Sequence, residues 1–155
     1  MSTVIDNIGR GLVAGLVGTA AMTVSSTMEA KLRGRALSTA PARATAKVLG
    51  IKEFEDAVAE ARWNDLSHWG YGTGWGVVRG LLAAAGLSPL AATLAHGAAV
   101  YGAEQVTLPA LEVAPPAIFW GKDEIAIDAF HHAVYAAATG LAYELIAGRN
   151  GNRAL

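Results

Sequence analysis

The chain has 155 residues, among them 33 Ala, 18 Gly and 16 Leu, with 53% hydrophobic and 16% charged residues and a formal net charge of -1. That length fits one domain, and the charge balance gives no basic field for nucleic acid. With no cysteine, disulfides, thiolate metal sites and thiol nucleophiles are excluded.

The first element follows from charge spacing. Arg10 and Glu29 are separated by 18 uncharged, mostly apolar residues, and a helix needs about 20 such residues to cross the hydrocarbon of a bilayer. A first membrane span is therefore expected over 4–28. Arg10 ahead of an apolar run also fits a secretory signal, but the run is long and Gly-rich and reads as a retained span. The next segment, 29–65, is polar. Within it, Ser38-Thr39-Ala40-Pro41 offers a helix cap followed by Pro in the first turn. Phe54, Val58 and Ala61 recur at helical spacing opposite acids. One or two short amphipathic helices at the membrane surface are expected there; ordinary loop structure would explain the same pattern.

Between Arg79 and Glu104 lie 24 residues without Asp, Glu, Lys or Arg, interrupted by Gly86-Leu87-Ser88-Pro89. Gly suits a helix end and Pro a helix start, so an antiparallel pair over 66–85 and 89–108 is predicted. Pro115-Pro116 then stops the chain before a fourth span over 124–147. The fold expected is all-α: an integral membrane antiparallel four-helix bundle, with residues 1–155 as one membrane domain. A soluble Ala-rich bundle is the competing fold, since Arg79, Asp128 and Glu144 lie inside expected spans. Such a bundle should show a charged outer stripe on each helix, and neither the first span nor Leu90 to Ala103 has one.

Orientation follows the Lys and Arg of the loops. The first loop carries Lys31, Arg33, Arg35, Arg43, Lys47, Lys52 and Arg62, and the later loop carries Lys122. The other side has Arg10, Arg149 and Arg153. Both longer loops are expected in the cytoplasm and both termini outside. Trp63, Trp69 and Trp120 then fall at the cytoplasmic interface.

Small residues at spacing four suit close helix packing in lipid, where apolar association contributes little. Gly11 and Gly15 form one such face, and Gly72, Gly76 and Gly80 another, with Gly70 and Gly74 beside it. The ionisable residues inside the spans carry more information, each costing about 2.5–3.5 kcal/mol at a helix centre on insertion scales. Glu29, His68, Glu104 and Asp128 lie within about two turns of the cytoplasmic side, whereas Arg79, His96, His131 and His132 lie nearer the middle. Asp128, His131 or His132, and Tyr135 continue one helix face. A polar cluster of Arg79, His96, Glu104, Asp128, His131 and His132 is expected inside the bundle, as structural pairing or as a proton or ion relay.

Other chemistries find less in the residues. Asp128-x-x-His131 matches half of a carboxylate-bridged dimetal design, which requires a second Glu-x-x-His and two more carboxylates. A haem between His96 and His131 or His132 is a geometric alternative. No elbow motif supports a Ser-His-Asp triad, and the glycines of YGTGWG follow no strand, so they are not a nucleotide loop. No catalytic residue, resident metal or cofactor is assigned.

The run His68-Trp-Gly-Tyr-Gly-Thr-Gly-Trp-Gly, then His96-Gly-Ala-Ala-Val-Tyr-Gly, and His131-His132-Ala-Val-Tyr135 with Gly140 resemble the YagU-like group of small bacterial inner-membrane proteins. The resemblance spans about 66–146. It implies a multi-pass helical protein of the cell inner membrane and supplies no catalytic residues. The expected function is proton, ion or small-solute handling in contact with the lipid bilayer. Two alternatives stand beside it: an accessory subunit packing on a second copy or another membrane protein through glycine faces, and a haem- or metal-binding membrane protein.

Overall fold

The computed structural model describes residues 3–151; Arg153, counted above for orientation, lies outside them. Five α-helices and one 3-10 turn make up the regular structure, and no strand occurs among the described residues. Helix α1 covers Val4–Arg33, α2 Ala40–Leu49, α3 Ala57–Ala84, α4 Pro89–Ala110 and α5 Lys122–Gly151, with the 3-10 turn at Ala117–Phe119 before α5.

The helix boundaries have local causes. Thr3 and Asp6 form a reciprocal capping box at the start of α1, satisfying donors that a first helical turn leaves open. Gly34 and Gly50 end α1 and α2 in the left-handed conformation, φ 63° and 73°, which glycine adopts without a Cβ clash. Asp56 caps α3 by accepting from the Ala59 amide at 2.8 Å. Ser88 and Pro89 start α4, as the Gly86–Pro89 turn predicts.

Two expected boundaries shift. The segment from Ala57 to Trp63 is not a separate surface helix; it is the first turns of α3, which runs unbroken to Ala84. Nothing between Asp56 and Leu66 breaks a helix, so the drop in hydropathy there marks a change of surroundings rather than an end. Likewise α1 continues five residues past Met28 to Arg33, where Glu29 pairs with Arg33 at 3.3 Å and with Arg35. The expected short loop helix remains as α2. It is tied down by Trp63 Nε1 donating to the Ala42 carbonyl (3.0 Å), by Thr45 with Ser67 (2.8 Å) and by Arg43 donating to the Val113 carbonyl (2.6 Å).

Helix α1 packs on α3 and α5, and α4 on α5 and α3. Residue pairs fix the directions. Asn7 lies against Gly80 and Thr19 against Gly72, so α1 and α3 are antiparallel. Thr93 meets Gly140 and Gly97 meets Ala136, so α4 and α5 are antiparallel too. Arg79 reaches Glu144 while Tyr135 reaches Gly72, which makes α3 and α5 parallel.

The contact faces are built from small side chains. On α1 the buried set is Asn7, Gly11, Ala14, Gly15, Gly18, Thr19 and Ala30, a helical stripe with hardly a large apolar residue in it. Added Cβ atoms at Gly11 and Gly76 would run into each other's helix backbone, so the α1–α3 approach depends on glycine at both positions. The large apolar side chains point the other way: Leu12, Val13, Leu16, Val17, Leu81, Leu90, Leu94, Leu141 and Leu145 are exposed. Among the described residues, α1 is the one helix long and apolar enough to cross a membrane. By that standard of length and composition the expectation of four spans reduces to one, because α3, α4 and α5 carry Arg79, His96, Glu104, Asp128 and Glu144 within their lengths.

Candidate functional site

Two stripes of α5 organise the interior. Residues 131, 135, 139 and 143 recur near four-residue spacing and face α1 and α3. His131 Nδ1 pairs with Ser25 Oγ at 2.8 Å, and Tyr135 donates to the Gly72 carbonyl at 2.6 Å. Thr139 abuts Gly18, and Tyr143 donates to Asn7 Oδ1 at 2.6 Å. Residues 128, 132, 136 and 140 form the second stripe and face α4. His131 and His132 are adjacent in sequence, but one residue turns a helix by about 100°, so the two rings belong to different neighbourhoods.

The second stripe brings Glu104, Asp128 and His132 together. His132 Nε2 lies 3.1 Å from Glu104 Oε2, and Nδ1 lies 3.4 Å from Asp128 Oδ1. One ligand-type atom from each residue falls within 4.8 Å of the others. His132 Nδ1 is also 2.9 Å from the Asp128 carbonyl oxygen. A carbonyl can only accept, so Nδ1 carries a proton and donates it there. Glu104 Oε2 and Asp128 Oδ2 are buried and accept no hydrogen bond among the described residues. The ring of Tyr101 stands 5.4 Å from that of His132 and closes one side.

The other residues expected in one cluster are distributed differently. Arg79 does not meet Glu104 or Asp128. Its Nη2 donates to Glu144 at 2.6 Å, and its guanidinium carbon sits 4.3 Å over the Tyr143 ring. The reason is depth: Arg79 and Glu144 both lie near the end of the helices that holds the α3–α4 turn, while Glu104 and Asp128 lie near the other. Arg79 and His96 are both 0% exposed. His96 Nε2 donates to the Trp75 carbonyl at 3.1 Å, and its ring packs 5.5 Å from that of Tyr135. It therefore joins α4 to α3, and its Nε2 is not free for the haem iron that sequence spacing allowed. His131 takes Glu29 as partner, Nε2 to Oε2 at 3.6 Å.

The sequence-level cluster left out Glu144, Ser25 and Thr23, the last of which holds His68 Nε2 at 2.8 Å. Glu144 was within reach of the same residue counting that ranked the histidines by depth. Ser25 and Thr23 carry no signal beyond being polar residues on an otherwise apolar helix. The glycines behave as a packing set: Gly11 and Gly15 meet Gly76, Gly72 meets Thr19, and Gly80 meets Asn7. Gly70 and Gly74 have open space around them.

A cavity of about 1040 Å³ opens at the end of the helices formed by α2, the starts of α3 and α5 and the 111–121 segment. Arg33, Arg35 and Arg43 line its outer part, and Met22, Trp69, Trp75, Val100 and Phe119 its walls. Glu104, Asp128, His68, His131 and His132 also line it. The chain matches no family model, no curated protein and no solved structure.

Proposed function

We propose that this chain is a multi-span membrane protein that admits a small cation, a proton or a metal ion, from one face into an internal histidine–carboxylate site. The observation that carries the reading is the inversion of its surfaces. The largest fully buried side chains are Arg79, His96, Thr19 and Thr139, while Leu90 is 70% exposed among a band of outward leucines and valines. Soluble monomers rarely expose large contiguous apolar areas. In lipid such side chains need no cover, polar residues turn inward, and small residues let the helices approach. On this reading α1, α3, α4 and α5 form an antiparallel four-helix bundle in the cell inner membrane. The cavity mouth and α2 face the cytoplasm, and both chain ends face outward. Membership of the YagU-like group belongs to the same proposal.

Attachment through glycine faces to a second membrane protein has less support, because Gly11, Gly15, Gly72, Gly76 and Gly80 are all taken up within the chain. Two measurements test the favoured reading. Membranes washed with alkaline carbonate should retain the chain, and only detergent should release it; release into aqueous buffer as a monodisperse helical protein overturns the membrane assignment. In proteoliposomes carrying a trapped pH dye or a trapped metal-quenched dye, the wild type should pass one of the two cations, and Asp128→Asn should slow it at least tenfold relative to Glu144→Gln. Flux no greater than in protein-free vesicles for both cations overturns the transport part.

A further inference from the structure

We infer that Glu104, Asp128 and His132 form a three-ligand site for one divalent first-row transition-metal ion at the inner wall of the cavity. This deepens the reading above, in which the cavity takes in a cation, by naming the class of ion.

The protonation of His132 supplies the first reason. Its Nδ1–H is committed to the Asp128 carbonyl, so in the neutral ring Nε2 presents a lone pair. A ring nitrogen donating to a backbone carbonyl while the other faces a ligand point is the arrangement that fixes metal-binding histidines. That lone pair lies 3.1 Å from Glu104 Oε2, a buried oxygen on which no donor is aligned among the described residues. With the ring neutral, two acceptors held this close repel each other unless a cation, a proton or a metal ion, lies against both.

The charge balance gives the second reason. Two carboxylates share the site with a single imidazole, and Asp128 Oδ2 is a second buried oxygen without a donor. Like charges at such separations cannot both persist, so a proton or a metal ion must join them. Protonating His132 alone would leave one carboxylate uncompensated; the set takes two protons or one dication, and a single dication does it without breaking the neutral ring's Nδ1–H bond. The counter-cations of the fold are elsewhere: Arg79 is bound to Glu144, and Arg33 and Arg35 to Glu29.

Ligand chemistry and access narrow the class. One imidazole nitrogen with two carboxylates suits Mn, Fe, Co or Zn better than Ca or Mg, which prefer all-oxygen sets. Asp128 and His132 sit at i and i+4 on one helix face, and Glu104 completes the set from the antiparallel α4, so the ligands come from rigid elements. All three line the same cavity, which supplies a route to them. His131 and Glu29, 3.6 Å apart, form a second pair on α5 and α1.

The test uses the full-length chain, metal-stripped and kept in mild detergent if it needs one. Titration with Co²⁺, followed by its visible ligand-field bands, should show one ion per chain, displaced by Zn²⁺. Glu104→Gln, Asp128→Asn and His132→Gln should each weaken binding by about 100-fold or more, beyond the 10–100-fold typical of outer-shell changes. Glu144→Gln and His96→Gln should bind like the wild type. Should the ligand variants not fold, the wild type still decides: of its four histidines, only the ring of His132 should shift in ¹⁵N spectra on Zn²⁺ addition and broaden most with Co²⁺. No stoichiometric Co²⁺ binding, unchanged binding in Asp128→Asn and Glu104→Gln, or a response centred on His68 or His131 overturns the site. Failure here is distinguishable from failure of the membrane reading. A detergent-requiring chain without Co²⁺ loses only the metal site, and a chain freely soluble in buffer that binds Co²⁺ loses only the membrane.

Discussion

Replacing Gly76 by alanine adds one methyl group at the tightest point between α1 and α3. That methyl would meet the Gly11 carbonyl oxygen and lie 2.8 Å from the Gly15 Cα, whereas carbon atoms rest about 3.5–4.0 Å apart. Both obstacles are helix backbone, so no rotamer change relieves them and the helices must separate by about 1 Å. A gap of that size forfeits about a quarter to a half of each dispersion contact along the seam, including Thr19 on Gly72 and Asn7 on Gly80. Overpacking of this kind costs about 1–3 kcal/mol, and the better helix propensity of alanine returns about 0.8–1.0. With the lost seam contacts added, the net loss is about 2 kcal/mol. Gly74, two residues away on the same helix, has open space where its Cβ would go; Gly74→Ala keeps the propensity gain and should be neutral or stabilising by up to about 1 kcal/mol. Titrating the purified chain from mild detergent into dodecyl sulfate, with circular dichroism as readout, measures both. A Gly76→Ala chain as stable as the wild type, or a Gly74→Ala chain equally weakened, would refute this account of the seam.

The same unfolding titration addresses the other buried contacts. Arg79→Met alone should cost about 3 kcal/mol, at the low end for breaking a buried ion pair, because the Glu144 side chain is 42% exposed. The double change Arg79→Met/Glu144→Leu should return to within about 1 kcal/mol of the wild type; additive losses would show that the two side chains do not act as a pair. Tyr143→Phe removes the donor to Asn7 Oδ1 and should lower stability by about 1 kcal/mol, with no loss counting against the bond. For orientation, single cysteines at Lys52 and Leu87 in this cysteine-free chain should react differently with an impermeant maleimide in intact cells. Leu87→Cys should label directly and Lys52→Cys only after permeabilisation, and the opposite order reverses the assignment.

Much of the helical layout is legible from charge and punctuation. The charge-free runs locate α1 and the α3–α4 hairpin, and Gly86, Ser88 and Pro89 define the turn between them. The start of α3 is not legible in this way, because hydropathy reports surroundings, whereas helix continuity depends on caps and breakers; Asp56 is the cap, and nothing breaks the helix after it. The level of Glu104 and Asp128 can be counted from the two helix ends that flank the 111–121 segment. Counting in halves rather than in residues misplaces Arg79. It lies six residues before position 85 and Glu144 three before 147, about 9 and 5 Å from the same end, close enough for a long guanidinium arm to bridge. Which of His131 and His132 faces α4 is a rotation of α5 that no single helix encodes. It is set by Gly140 accepting Thr93 and Gly97 accepting Ala136.

That rotation separates structural from chemical work on α5. On the stripe facing α1 and α3, Tyr135 and Tyr143 are buried with their hydroxyls donating to acceptors on other helices, and Thr139 packs against Gly18. The two tyrosine contacts are completed and hold the helices, while Thr139 Oγ1 and His131 Nε2 on the same stripe are buried without a hydrogen-bond partner among the described residues. On the stripe facing α4, small partners at Gly97 and Gly140 bring the helices close near the α3–α4 turn. Toward the other end Tyr101 and Glu104 replace the small residues, so the seam there is filled by polar side chains and opens on the cavity. The acceptors without donors, Glu104 Oε2 and Asp128 Oδ2, occur on that polar stretch. A sequence selected only for packing would place Ala or Gly at 104 and 128, as it does at 97 and 136. Their carboxylates, set against the two nitrogens of one imidazole, cost stability that the fold does not require, and a bound cation is what would offset it.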